Sequence, residues 1–175
     1  PPKYPNEAPA IKDAVMTHSH IDHLGMAPWL CSNHRTNLHG TPLTAEISHM
    51  MWNDCYKVSR LEGYPLAWDK RDIDIATSSW KTHNFGEKWE NGSWKLKFTG
   101  AGHIPGAAML NVETDTHKLL FTGDFDTRDS PLVSGAKPEK CDVLFVEGTY
   151  GGRDHPSKEE TLSLIHISEP TRLRR

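Results

Sequence analysis

The chain has 175 residues, a length that suits one domain or a piece of one. With 36% hydrophobic and 25% charged residues and no run of about 18 apolar positions, it is excluded from the disordered and helical membrane-spanning classes. Twenty Lys and Arg against 23 Asp and Glu leave a net charge of -3, which excludes a general basic field that would attract nucleic acid unaided. The chain opens PPKYPNEAPA, without an initiator Met, and is expected to be entered midway, its natural start lying further upstream. Ile11–Thr17 is short, apolar and β-compatible, and it runs into HSHIDHLG, so that cluster is expected on a loop at the C-terminal end of a strand. A short helix over MAPWLCS and a brief strand at Asn37–His39 follow.

Thr41 before Pro42 is a helix start, and Gly63 with Pro65 is a stop, which predicts a helix over Pro42–Glu62. Leu43, Ile47, Met50, Met51, Val58 and Leu61 keep helical spacing, and Met50, Met51 and Trp52 are read as core packing. DKRDIDIATSSW predicts a second, shorter helix. The pattern then changes to alternation. Asn91-Gly92 is a hairpin turn between two runs, with Trp94, Leu96 and Phe98 on one face. AAMLNVE, the polar turn TDTH and KLLFTGD predict a second hairpin ending on Asp124, and CDVLFVEGTYG predicts a buried strand ending at Glu147. Three successive strands thus deliver His103, Asp124 and Glu147 at or near their C-terminal ends, and the order of elements places the chain in the α/β (α+β) class.

At the far end, LSLIHISEPTR (162–172) resembles one translated frame of a sequencing-library adapter. Residues 1–161 are therefore expected to form the protein's own part, and 162–175 are expected to be foreign to it.

Eleven histidines are more than a packed domain needs. His18, His20, Asp22 and His23 form HxHxDH, one tight turn offering three imidazoles and a carboxylate, a donor mixture that suits zinc and tolerates manganese or iron. Alternate spacing points His18 and His20 toward one ion, and the turn swings Asp22 and His23 toward a second. His103 is placed to complete the first site and Asp124, with two carboxylate oxygens, to bridge both, the arrangement of two-metal hydrolysis. Cys31, Cys55 and Cys141 lack CxxC spacing, so no disulfide framework or thiolate zinc site is indicated, and a reducing, cytoplasmic setting is expected. His34, His39, His49, His83, His117 and His155 are read as surface or packing residues.

In order, THSHIDHLG, GAGHIPGAAM, LLFTGDF and VEGTYGG resemble the motifs of the metallo-β-lactamase superfamily, over roughly Lys12 to Lys158. EGTYG resembles the acidic motif of its β-CASP nuclease branch, and AGHIPGAAM with TGDF resembles the archaeal and eukaryotic cleavage-and-polyadenylation group. This resemblance implies an αββα sandwich, incomplete here, with the early strands and the β-CASP cap missing. It implies an RNA substrate, two zinc ions, a soluble homodimer or processing complex without a membrane, and Asp22, Asp124 and Glu147 at the reacting centre. Glu147 would orient a later histidine that serves as general acid. Gly148 stands where the family usually has Ser or Thr. The isolated chain is expected to bind metal poorly and not to turn over. Two other readings stay open: a small-molecule hydrolase of lactonase or thioesterase type, and a non-catalytic subunit of an RNA-processing complex.

Overall fold

A computed structural model describes residues 11–152 apart from positions 138 and 150. The boundary expected at 161 and the adapter-like segment lie outside the described residues. Two sheets pack face to face. The first is parallel, in the order β1 (Asp13–Val15), β2 (Asn37–Gly40) and β3 (Trp80–Thr82). The second runs β4 (Lys88–Asn91), β5 (Trp94–Gly100), β6 (Ala108–Glu113), β7 (Lys118–Phe121) and β8 (Val143–Phe145), antiparallel except for the β7–β8 pair. Helices α1 (Ile21–Leu24), α2 (Ala27–His34), α3 (Pro42–Glu62) and α4 (Lys70–Ser78) are the helices among the described residues.

Alternation along β1 explains the layering. Ala14 and Met16 pack into the helix-side core with Leu24, Leu38, Trp52, Trp68 and Ile73, whereas Val15 faces Leu96, Phe98 and Phe121 between the sheets. The outer face of the second sheet carries Met109 and Leu120, covered by Ala136 and Cys141 of the loop that follows β7. The described part of the αββα sandwich is thus one helical layer, two sheets and a loop. No helix among the described residues is long and apolar enough to cross a membrane.

Local signals set several boundaries. Helix α3 starts at Pro42, with Thr41 Oγ1 accepting the Thr44 N–H at 3.2 Å, and it ends where Gly63 takes φ 76°. Asp69 caps α4 in a reciprocal capping box with Asp72. The Asn91-Gly92 turn closes the β4–β5 hairpin with Asn91 opposite Trp94.

Two expectations need correction. Helix α3 buries only part of its apolar stripe: Trp52 is inside and Met51 packs against the same core, as expected, but Leu43, Met50, Val58 and Leu61 are exposed and Thr44, Ser48 and Ser59 are inside. Small hydroxyl residues at i, i+4 allow close approach, because Thr44 donates to the Gly106 carbonyl and Ser48 to that of Thr44. As expected, Trp94 shares its strand face with the buried Leu96 and Phe98, and it lies exposed at the hairpin end. The run at β8 is not buried. Val143 through Val146 are exposed on a strand whose one neighbour among the described residues is β7.

His39 and His83 behave as packing histidines. His39 Nε2 lies 3.0 Å from Asp13 Oδ1, its Nδ1 lies 3.0 Å from His83 Nε2, and Trp89 stacks on His83, which ties the two sheets together.

Candidate metal centre

Strands β1, β5, β7 and β8 end at the same edge of the sandwich, so residues scattered through the sequence meet in the loops that follow them. His18 lies three residues beyond β1, His103 three beyond β5, Asp124 three beyond β7 and Glu147 two beyond β8. Two glycines make the approach possible. Gly102, beside His103, has φ 70°, and a Cβ there would lie 2.2 Å from the Asp126 carbonyl oxygen. Gly123, beside Asp124, has φ 54°, and a Cβ there would lie 2.7 Å from Thr17 Oγ1.

His20 Nδ1 stands 3.1 Å from His18 Nε2 and 3.1 Å from His103 Nε2. Asp124 Oδ2 lies 3.8 Å from the first of those Nε2 atoms and 3.6 Å from the second. The other carboxylate oxygen, Oδ1, faces away from this group and lies 3.2 Å from His23 Nε2, which in turn is 3.6 Å from Asp22 Oδ2. Asp124 therefore divides its two oxygens between two donor sets. His18, His20 and His103 are on one side, and Asp22 and His23, from the single turn of α1, are on the other.

The donor chemistry fits a metal ion. His18, His20, His103 and Asp124 present four ligand atoms within 4.8 Å of one another. Ligand nitrogens about 2.0–2.1 Å from a tetrahedral zinc stand about 3.3 Å apart, close to the spacing here. Hydrogen bonding alone does not satisfy the group, since His20 Nδ1 carries one proton or one lone pair and faces two nitrogens. Burial pushes His18 down to about 3, helped by His23, His20 and His103, and burial also holds His103 below the usual imidazole range. Both rings are thus neutral near pH 7 and keep a lone pair free. Thr17 Oγ1 lies 3.1 Å from His18 Nδ1 and can accept its proton, which leaves Nε2 for the ion.

Glu147 stands on the wall of an open cleft of about 550 Å³ that His103, Asp124, Phe125, Arg128 and Thr149 also line. It accepts the N–H of Thr149 on Oε2 and that of Phe125 on Oε1, each at 3.3 Å. The Thr149 side chain, hydrogen-bonding to it, does most to hold its carboxyl below the ordinary range; burial opposes this, and the N–H groups of Phe125 and Thr149 assist.

All seven site residues expected from the sequence come to this edge. Asp22 is the outermost, its side chain 76% exposed, and does not join the group of four. Sequence reasoning missed the residues that seat the ligand turns. Thr17 contacts His18, Thr41 and Thr44 donate to Gly106, and the indoles of Trp52 and Trp68 donate to Leu24 and Gly25. Of these, Thr41 alone carried a signal, as a helix cap.

Residues 7–170 match the metallo-beta-lactamase superfamily, nearly the whole chain. The chain belongs to that superfamily. Within it, the chain is 30% identical over 165 residues to RNase aCSPSF2 of Saccharolobus solfataricus, covering 91% of this chain and 33% of the relative. It is 31% identical over 160 residues to cleavage and polyadenylation specificity factor 73 of Drosophila melanogaster, covering 88% and 23%. To ribonuclease TTHA0252 of Thermus thermophilus it is 29% identical over 170 residues, covering 95% and 38%. The chain thus spans roughly a quarter to two fifths of these relatives' length.

Proposed function

We propose that this metallo-beta-lactamase chain carries most of the metal centre of a two-zinc phosphodiesterase that cleaves RNA in the cytoplasm. The observation that carries the reading is Asp124, whose Oδ2 faces the His18, His20 and His103 nitrogens while Oδ1 faces His23. A carboxylate split in this way suits a pair of ions better than one. The RNA substrate follows from the relatives, which are named ribonucleases and a cleavage factor. A processing complex or homodimer belongs to the same proposal.

His18, His20 and His103 would hold one ion, and Asp22 and His23 the other, with Asp124 shared. When bound, such ions supply an activated water near neutral pH and positive charge against the phosphate. The protein's own residues set the geometry. Thr17 orients the His18 ring, Gly102 and Gly123 let His103 and Asp124 reach the centre, and Asp124 fixes the separation of the two sets. Glu147 stays ionised on the cleft wall and serves as an anchor for a protonated group. The proton for the leaving 3′ oxygen would come from a histidine of the longer polypeptide.

The test is RNA cleavage by the protein expressed from the complete reading frame, with zinc content measured alongside. Cleavage of a labelled RNA with two zinc ions per chain supports the reading. Hydrolysis of a lactone or thioester panel with no RNA cleavage overturns it in favour of the small-molecule hydrolase. No hydrolysis at full zinc loading overturns it in favour of a non-catalytic subunit. The 175-residue chain alone is expected to show no turnover.

A further inference from the structure

Helix α1 is four residues long, and a single turn fixes many backbone dihedrals for few hydrogen bonds, so it does not persist on its own. Carbonyls at its C-terminal end have no partner within the helix. Two indoles supply partners. Trp52 Nε1 donates to the Leu24 carbonyl at 3.0 Å, and Trp68 Nε1 donates to that of Gly25 at 2.7 Å. Both tryptophans are buried, Trp52 fully, so neither N–H has water as an alternative and each is satisfied while the turn stays in place.

The loop that carries His103 is held in a parallel way. The Gly106 carbonyl accepts the Thr41 hydroxyl at 2.7 Å and the Thr44 hydroxyl at 3.0 Å. Gly106 has φ 86°, and a Cβ there would lie 3.0 Å from Thr44 N, so glycine is what lets this backbone settle on the helix. Thr41 and Thr44 form the first turn of α3, and Trp52 sits on the same helix about 12 Å further along its axis.

We propose that α3 is a splint for the metal centre, with Thr41 and Thr44 as positioning residues for His103 and Trp52, seconded by Trp68, as positioning residues for Asp22 and His23. One 21-residue helix then sets the distance between the two ligand turns before any ion arrives, which lowers the ordering cost of binding. The inference rests on the metal-centre reading above for its purpose, though not for its geometry.

The test uses the 175-residue chain as wild type, Trp68→Phe, Thr44→Val and Thr44→Ser. Amide hydrogen exchange is measured without zinc, and zinc affinity by competition with a chromophoric chelator. Trp68→Phe removes one N–H and should speed exchange at Leu24 and Gly25 about two- to tenfold while leaving Ala107 as in the wild type. Thr44→Val should do the reverse, and it should weaken the tighter zinc about 10- to 100-fold, with Thr44→Ser restoring both. Because Thr44→Val keeps the side-chain volume, it carries the test if the indole substitution unfolds the chain. Unchanged exchange at the named amides, or equal acceleration at all of them, overturns the splint. Locally altered exchange in the 175-residue chain, with no zinc taken up by the protein expressed from the complete reading frame, would uphold the splint and refute the metal centre, so the two failures are distinguishable.

Discussion

Acidification should destabilise the zinc-free chain through His18, by an amount that the structure sets. Its imidazole is fully buried, and burial moves it from an ordinary value of 6.5 to about 3. The folded value lies below the unfolded one, so the unfolded chain binds the proton first. The stability contributed by the neutral buried ring is present above 6.5 and is lost as the pH falls from there toward about 3. Lowering the pH from about 7 to about 5 should cost about 2 kcal/mol from this group alone. His83 and His103 are depressed as well and act in the same direction, so the whole loss exceeds that figure. Urea denaturation of the chelator-treated chain at both pH values, compared with His18→Asn, isolates the contribution. The variant lacks the titrating ring and should lose about 2 kcal/mol less than the wild type on acidification. Should the variant not fold, the His18 ring signals of the wild type, followed by NMR, should stay those of a neutral imidazole down to about pH 5. A ring that titrates near 6.5, or equal losses in the two proteins, would refute the reasoning.

Gly123→Ala combines a left-handed backbone with a Cβ 2.7 Å from Thr17 Oγ1, so it should destabilise by about 2–4 kcal/mol and weaken zinc binding, as read by urea midpoint and chelator competition. A midpoint unchanged from wild type would show that the close approach at Thr17 relaxes freely. Asp124→Ala removes the carboxylate that faces both donor sets, and elemental analysis of the complete protein should find the zinc pair lost; retention of two ions would sink the bridging assignment. Thr41→Ala deletes the α3 cap and one of the two donors to Gly106, for a loss of about 1–2 kcal/mol measurable by thermal or urea denaturation.

Local chemistry made part of this molecule legible from its sequence. The bounds of α3 follow from Thr41-Pro42 at one end and Gly63 at the other, and the β4–β5 hairpin from Asn91-Gly92, because each signal acts within a few residues. The HxHxDH turn was legible for the same reason, its donors being neighbours in the chain. Which face of α3 is buried was not legible. Trp52 was legible as core, but Leu43, Met50 and Leu61 satisfy helical periodicity and are exposed while Thr44 and Ser48 are inside; at Thr44, close contact with the Gly106 loop selects a small residue that can donate to its carbonyl. The exposure of β8 was hidden as well, since an apolar run reads alike at a sheet centre and at its edge.

The sequence by itself determined the donor types and the turn that bunches three of the imidazoles. Tertiary structure decided that His103, 83 residues from His20, stands 3.1 Å from it, and that the two oxygens of Asp124 part between the two sets. The physical reason is that coordination depends on where strand ends meet, and strands β1, β5 and β7 reach one edge through pairings and packing that no single segment contains.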